Sequence, residues 1–313
     1  MLSDKYNIVF LLLAAGSAIF CLVNPAAFSV QVILWATFAA VLGSGLRFVM
    51  LVGELNIGVA GFYGIGAYTS GYLFAGLGAP FLICIIAGAV MSGLVALVFG
   101  YATLRTSGPY FMLISFAFVE IFRMAVVEAS FLGGNNGIVG LFVPIGFEPY
   151  FPATVVVTCA AMVALLAYLE FSSLGKIFAA IKNREAVARS VGVNVLAMRV
   201  LCLVISSVVV AVAGTFHAFT IHVITPGDFT FMLSVFALAY VKLGGDGHPT
   251  GPILGAVILT LTAQYLLSFG AYQQLFFGAV IALAMILLPH GIIGRLAGMT
   301  KRLAAKGARH AAG

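Results

Sequence analysis

Charge is what this 313-residue chain has least of: Asp, Glu, Lys and Arg make up 8% of it, against 63% hydrophobic residues. A soluble domain carries about a quarter charged residues, so this chain could not cover its own surface in water. A soluble enzyme, a secreted disulfide scaffold and a disordered protein are all excluded. Cysteine is scarce too. Cys21, Cys84, Cys159 and Cys202 each sit inside an apolar run, with no Cys-x-x-Cys spacing and no neighbouring His. They read as small packing residues, not as bridges or ligands. The sequence contains no G-x-x-x-x-G-K-[ST] phosphate loop, no H-E-x-x-H, no G-x-S-x-G and no Cys/His metal spacing. The residues for ATP hydrolysis by that loop, for zinc-protease chemistry or for serine-hydrolase chemistry are therefore missing. The chain reads as non-catalytic, with no metal site and no cofactor of its own.

What is present is apolar length. A helix needs about 20 apolar residues to cross a bilayer. Runs of that kind fall near 6–23, 28–46, 48–75, 80–104, 109–127, 151–169, 200–221, 229–243, 251–269 and 272–289. This predicts an all-α integral membrane protein of about ten transmembrane helices, forming a single domain over 1–313. The first run follows Lys5 and has the length of a signal peptide's apolar region, but a further span comes directly after it. It is read as a retained first helix.

The basic residues test this count, because Lys and Arg gather on the cytoplasmic side of spans. With both termini in the cytoplasm, Lys5, Arg47, Arg105, the cluster from Lys176 to Arg199, Lys242 and a basic tail over 290–313 all fall inside. The expected outer loops contain no Lys or Arg, and Arg123 alone lies within a span. The net charge of +6 then reflects topology and points to no nucleic-acid partner.

Several spans are not smooth. The run 48–75 holds Glu54, Asn56 and a series of glycines from Gly53 to Gly71. Those glycines serve either close helix packing or a broken, re-entrant segment. Counted from the start of the run, Glu54 lies roughly 10 Å deep at about 1.5 Å per residue. Arg47 is two turns back on the same face. Glu120 and Arg123 are spaced to neutralise each other on one helix. They form either a packing lock or, with Glu54 and Asn56, the lining of a polar pathway. Asn135 and Asn136, inside Gly133–Gly137, make either a turn or an outer gate. His217 and His222, near an outer helix end, read as interfacial side chains. The segment 171–199 carries Ile177, Phe178, Ile181, Val187, Val191 and Val195 at near-helical spacing, among Lys182, Arg184, Glu185 and Arg189. Gly192 is a natural helix stop. One or two basic amphipathic helices outside the membrane are expected there. Such an element lies on anionic lipid, stays solvated, or docks into a groove on a soluble partner.

Four blocks carry a resemblance. They are Gly53–Gly58 with Phe62–Thr69; Leu104–Phe111 with Phe116–Arg123 and Gly133–Gly137; Leu174–Ile181 with Asn183–Asn194; and Gly244–Gly247 with Gly251–Ala256. Taken together and in this order, they resemble the inner-membrane permeases of the branched-chain amino acid ABC transporters, the M-type subunit of the Liv system in particular. The chain departs from that pattern at Glu54, Asp246 and His248-Pro249, where the family usually has small residues. The resemblance implies transport of a branched-chain amino acid or a related small polar solute across the bacterial inner membrane. It implies membrane lipid and four protein partners: a related H-type permease, two cytoplasmic ATPase subunits that use the ATP, and a periplasmic binding protein. It assigns ATPase coupling to Lys182, Arg184, Glu185, Arg189 and Gly192. It makes Glu54, Asn56, Tyr63, Glu120 and Arg123 pathway candidates, and Asn135 and Asn136 outer-gate candidates. The competing expectation is an ion-coupled secondary transporter, whose signature would be an acid such as Glu54 at mid-membrane beside a discontinuous helix.

Overall fold

The computed structural model describes residues 16–22, 28–143, 146–272, 277–279, 281–283 and 291–295. Most of the first and last expected spans, and most of the basic tail, lie outside these residues. Among the described residues from Phe28 to Tyr272 the α-helices are α1 (Phe28–Val49), α2 (Val59–Leu77), α3 (Phe81–Thr103), α4 (Pro109–Glu128), α5 (Phe151–Phe171), α6 (Ser173–Asn183), α7 (Glu185–Ser190), α8 (Val195–Ile221), α9 (Phe231–Gly244) and α10 (Gly251–Leu266). Five are long and apolar enough to cross a membrane: α1 with its extension to Val52, α3, α4, α5 and α8. Glycine-rich α2 and the shorter apolar α9 and α10 pack among them. This is a multi-pass membrane protein.

The helix boundaries follow local chemistry. Pro109 and Pro252 stand in first turns, where the missing N–H is no loss. Ser172 caps α6 through a bond from Leu174 N, and Asn194 caps α8 through a bond from Ala197 N. Gly192 has φ +85°, so the stop expected there is a left-handed one. The fold is not wholly helical. Ile138–Val139 (β1) pairs antiparallel with Val223–Ile224 (β2), tying two loops together.

The core is built on α8, which packs on α3, α2 and α1. Glycines let the backbones touch. A Cβ on Gly66 would collide with the Ala211 carbonyl, and one on Gly214 with the Tyr63 carbonyl. Without a hydrophobic drive between helices in lipid, such contact is the main source of attraction. On the opposite side, α3 and α4 expose Leu94, Leu97, Val98, Leu113, Ile121 and Met124. So large an apolar surface must meet lipid or another protein.

One expectation changes here. The run 48–75 is not one span. The preceding helix continues through Arg47 and a 3₁₀ turn at Met50–Val52, and the chain then breaks at Gly53, whose φ is +89°. Residues 54–58 are non-helical and α2 starts at Val59. Glu54 is therefore in a break beside the segment 171–199, not 10 Å into a helix. The run 229–243 is short in the sequence and stays so in the structure: α9 has 14 residues, about 21 Å at 1.5 Å per residue, against a hydrocarbon core of about 30 Å. The preceding turn Pro226–Phe229 compensates by entering the bundle, where Pro226 and Phe229 are buried.

Candidate functional site

The charged groups near the α1–α2 break form two clusters. In the first, Arg47 in the last turn of α1 is 4% exposed. Its Nη1 and Nη2 donate to Glu170 of α5 at 2.6 and 2.7 Å, and its Nε donates to the Asp246 carbonyl at 2.8 Å. A forked guanidinium suits this bidentate geometry. One side chain thus bolts α1 to α5 and to the turn between α9 and α10. Arg47 belongs to a helix end and not to a loop, and its partner is Glu170, not Glu54.

In the second cluster Arg199, in the second turn of α8, donates through Nη2 to Glu185 Oε2 at 2.9 Å and lies 3.5 Å from Glu54 Oε1. Glu54 Oε2 accepts from Gly108 N at 2.9 Å, just before α4. Glu185 also accepts from Arg189 Nε at 3.1 Å. The chain Arg189–Glu185–Arg199–Glu54 therefore runs from exposed α7, through α8, to the α1–α2 break and the start of α4. Burial pushes the Glu54 carboxyl above its ordinary value; the Gly108 bond and the Arg199 charge only partly offset this. Partial burial also pushes Glu185 upward. There the Arg189 hydrogen bond and the charges of Arg199 and Arg189 outweigh it and leave the carboxyl low.

The break is buried, so its backbone N–H groups need partners that no helix supplies. Gly58 N donates to Asn56 Oδ1 at 2.9 Å, Ile57 N to Ser115 Oγ at 3.0 Å, and Ala60 N to Ser234 Oγ at 3.1 Å. Asn56 is 1% exposed and holds the turn. α6 lies against this break: Phe178 meets Phe48 edge-on at 5.9 Å between ring centroids, and the Lys182 stem passes beside Gly53. Phe178, Ile181 and Ala188 are buried, as an amphipathic face should be. Val187 and Val191, expected on that same face, are instead exposed, together with Lys182, Arg184 and Arg189.

The remaining candidates are dispersed. Glu120 and Arg123 pair at 2.9 Å on α4 and are partly exposed. Asn135 and Asn136 stand exposed in a 3₁₀ turn flanked by left-handed Gly133 and Gly137. Tyr63 is buried and lines a cavity of about 340 Å³ with Trp35, His217, Asp228 and Tyr240. Of these lining residues, Tyr63 and His217 stood out in the sequence, and His217 was given another role. His217 in particular is 7% exposed and is no interfacial side chain. His222, by contrast, sits at the end of α8, exposed, with φ +62° and its Nδ1 3.0 Å from the Leu141 carbonyl oxygen. Among the described residues no three His, Cys, Asp or Glu side chains gather as a metal site.

Comparison with known families decides the class. Residues 28–288 match the model of the branched-chain amino acid transport system permease component. The chain belongs to this family. The permease is 29% identical to the LivM high-affinity branched-chain amino acid permease protein of Salmonella typhimurium, over 85% of this chain and 70% of that one. It is 30% identical to LivM of Escherichia coli K12, over 81% and 67%. To the LivH permease protein of the same organism it is 27% identical, over 78% and 87%. No solved structure matches significantly. The chain is thus a non-catalytic, multi-pass permease subunit of an ABC transport system.

Proposed function

We propose that this permease is one of two related membrane subunits of an ATP-driven importer, moving a branched-chain amino acid or a related small polar solute across the bacterial inner membrane. The relatives' printed substrate supports this choice of solute. In this reading the chain has about ten spans with both termini cytoplasmic, and all its charged inner-end clusters face the cytoplasm. An H-type permease covers the apolar face of α4. Two ATPase subunits use the ATP, and a periplasmic protein delivers the solute to the outer loops, with Asn135 and Asn136 at the outer gate.

One observation carries the coupling assignment. α7 presents Val187 and Val191 beside Lys182, Arg184 and Arg189 to the outside, while Glu185 and Arg199 tie its inner side to Glu54 and the α1–α2 break. An apolar anchor rimmed by basic groups suits a helix-in-groove contact with an ATPase. Displacing α7 would pull on Arg199, and through it on Glu54 and the start of α4. The solute pathway then lies between the break, Tyr63 and the Glu120–Arg123 helix. Glu54, sitting beside Arg199 in the break, does not have the isolated mid-membrane setting that an ion-coupled transporter would use.

The test is the complete complex in vesicles. Glu185→Lys places a cation against Arg189 and Arg199, and Gly192→Pro removes the φ +85° stop. Both variants should insert and co-purify with the second permease, yet lose solute-stimulated ATPase activity. Survival of that stimulation in either variant would refute the coupling role of α7.

A further inference from the structure

α3 and α4, the least buried of the long apolar helices, differ in what they expose. Along α3 the buried positions Cys84, Gly88, Ser92, Ala96 and Gly100 recur every four residues and are all small. They face α8: a Cβ on Gly88 would meet Thr215 Oγ1, and one on Gly100 the Leu203 side chain. The opposite face presents Ile83, Ile86, Val90, Leu94, Leu97 and Tyr101, each more than half exposed. Contacts between spanning helices are rich in small and polar residues. By that measure α3 turns its protein side inward, and its bulky aliphatic side belongs to lipid. From Ile83 to Tyr101 this stripe runs about 27 Å at 1.5 Å per residue, close to the thickness of a hydrocarbon core. α4 does not divide this way. Its partly exposed Glu120–Arg123 pair stands near the middle of the helix, where bare lipid is a costly neighbour.

A cation closes the stripe. One turn beyond Tyr101, in the loop joining α3 to α4, Arg105 is exposed and sets its guanidinium over the Tyr101 ring, 5.0 Å from the centroid. Arg47, Arg123, Arg189 and Arg199 all have carboxylate partners, but Arg105 makes no ion pair among the described residues. The stack on Tyr101 steadies the guanidinium fork and leaves its N–H donors to a ligand. Tyr101 and Tyr110, both exposed, mark the headgroup level, where tyrosines gather. We propose that Arg105 and the α3 stripe bind one anionic phospholipid, its phosphate on the guanidinium and its acyl chains along Leu97, Leu94 and Val90. The fork matches two phosphate oxygens at once. A zwitterionic lipid offers the same phosphate but adds an ammonium that Arg105 repels. The lipid then sits three residues from Gly108, whose N–H ties the start of α4 to Glu54. The site depends on α3 crossing the membrane and on no reading of what is transported.

Native mass spectrometry of the full chain reads this directly. The chain is purified in mild detergent and offered equal amounts of phosphatidylglycerol and phosphatidylethanolamine with identical acyl chains. One retained phosphatidylglycerol is expected, favoured about fivefold, the order of one basic residue's attraction to anionic lipid. Arg105→Gln should bring the ratio close to one. Arg105→Lys keeps the charge and loses the fork, and Tyr101→Leu keeps Arg105 and loses its stack; both should fall between. Lys176→Gln removes another exposed cation, on α6, and should leave the preference intact. Phosphatidylglycerol with a photoreactive acyl chain should label the α3 peptide in the parent. Three variants at two positions, each checked for monodispersity, separate site loss from misfolding. Equal retention of the two lipids by the parent, a preference that Arg105→Gln keeps, or labelling confined to other helices overturns the proposal and leaves α3 in bulk lipid only.

Discussion

The charged clusters around the α1–α2 break and the ring-lined surroundings of His217 handle buried polarity differently. Around the break the carboxylates have donors: Glu170 takes Arg47, and Glu54 takes Gly108 N and Arg199, while Arg199 Nε has no partner of its own. His217 Nδ1, set among aromatic rings, has no donor or acceptor facing it. The first arrangement links helices through charge; the second leaves a polar atom buried among apolar groups.

The comparison can be broken most strongly at Arg47. Arg47→Ala strands Glu170, and removing one partner of a buried pair costs about 3–5 kcal/mol. The variant should lose most of its folded yield, read by size-exclusion profile after mild solubilisation and by midpoint on heating. Gly66→Ala is next. The methyl strikes the Ala211 backbone, and overpacking of this kind costs about 1–3 kcal/mol. Because the α2–α8 seam carries Tyr63 and His217 as well as Arg199, both ends should suffer. A midpoint unchanged from the parent would show that the seam gives way without strain.

The subtlest effect is at Glu54. Its carboxyl is raised, so the folded form holds a proton more tightly than the free side chain, and the charge is lost from the Arg199 contact as pH falls toward 4.5. Glu185, held low by Arg189 and Arg199, keeps its charge through the same window and loses its contribution only below 4.5. Coupled ATPase activity should therefore decline on mild acidification in the parent and stay flatter in Glu54→Gln. Parallel pH profiles would remove Glu54 from the relay.

Much of the fold was legible because bilayer chemistry is written in long runs. Among the described residues, the apolar stretches other than 48–75 became helices, the Gly133–Gly137 cluster became a turn, and Gly192 ended a helix as its composition suggests. The break at 53–58 was harder. It interrupts an apolar stretch by only a few residues, so average hydropathy passes over it, and the 3₁₀ turn before it keeps the apolar character going. Pairings such as Glu54 with Arg199, or Arg47 with Glu170, join residues far apart in the chain and leave no local spacing to read. His217 was misjudged for a related reason. Its place near a helix end suggests an interface, but the inserted turn at Pro226–Phe229 covers that end. Val187 and Val191 fit the helical period yet point outward, because α7 is a separate short helix with its own phase after the kink at Arg184.

All four cysteines are free and buried. For chemical labelling the molecule is thus already blank. One cysteine introduced at Val191 and another, in a second variant, at Asn135 would each offer the sole thiol open to a water-soluble maleimide. Which face of a sealed vesicle reacts, and how a probe's mobility there changes through the ATP cycle, can then be followed on a chain altered at one exposed residue.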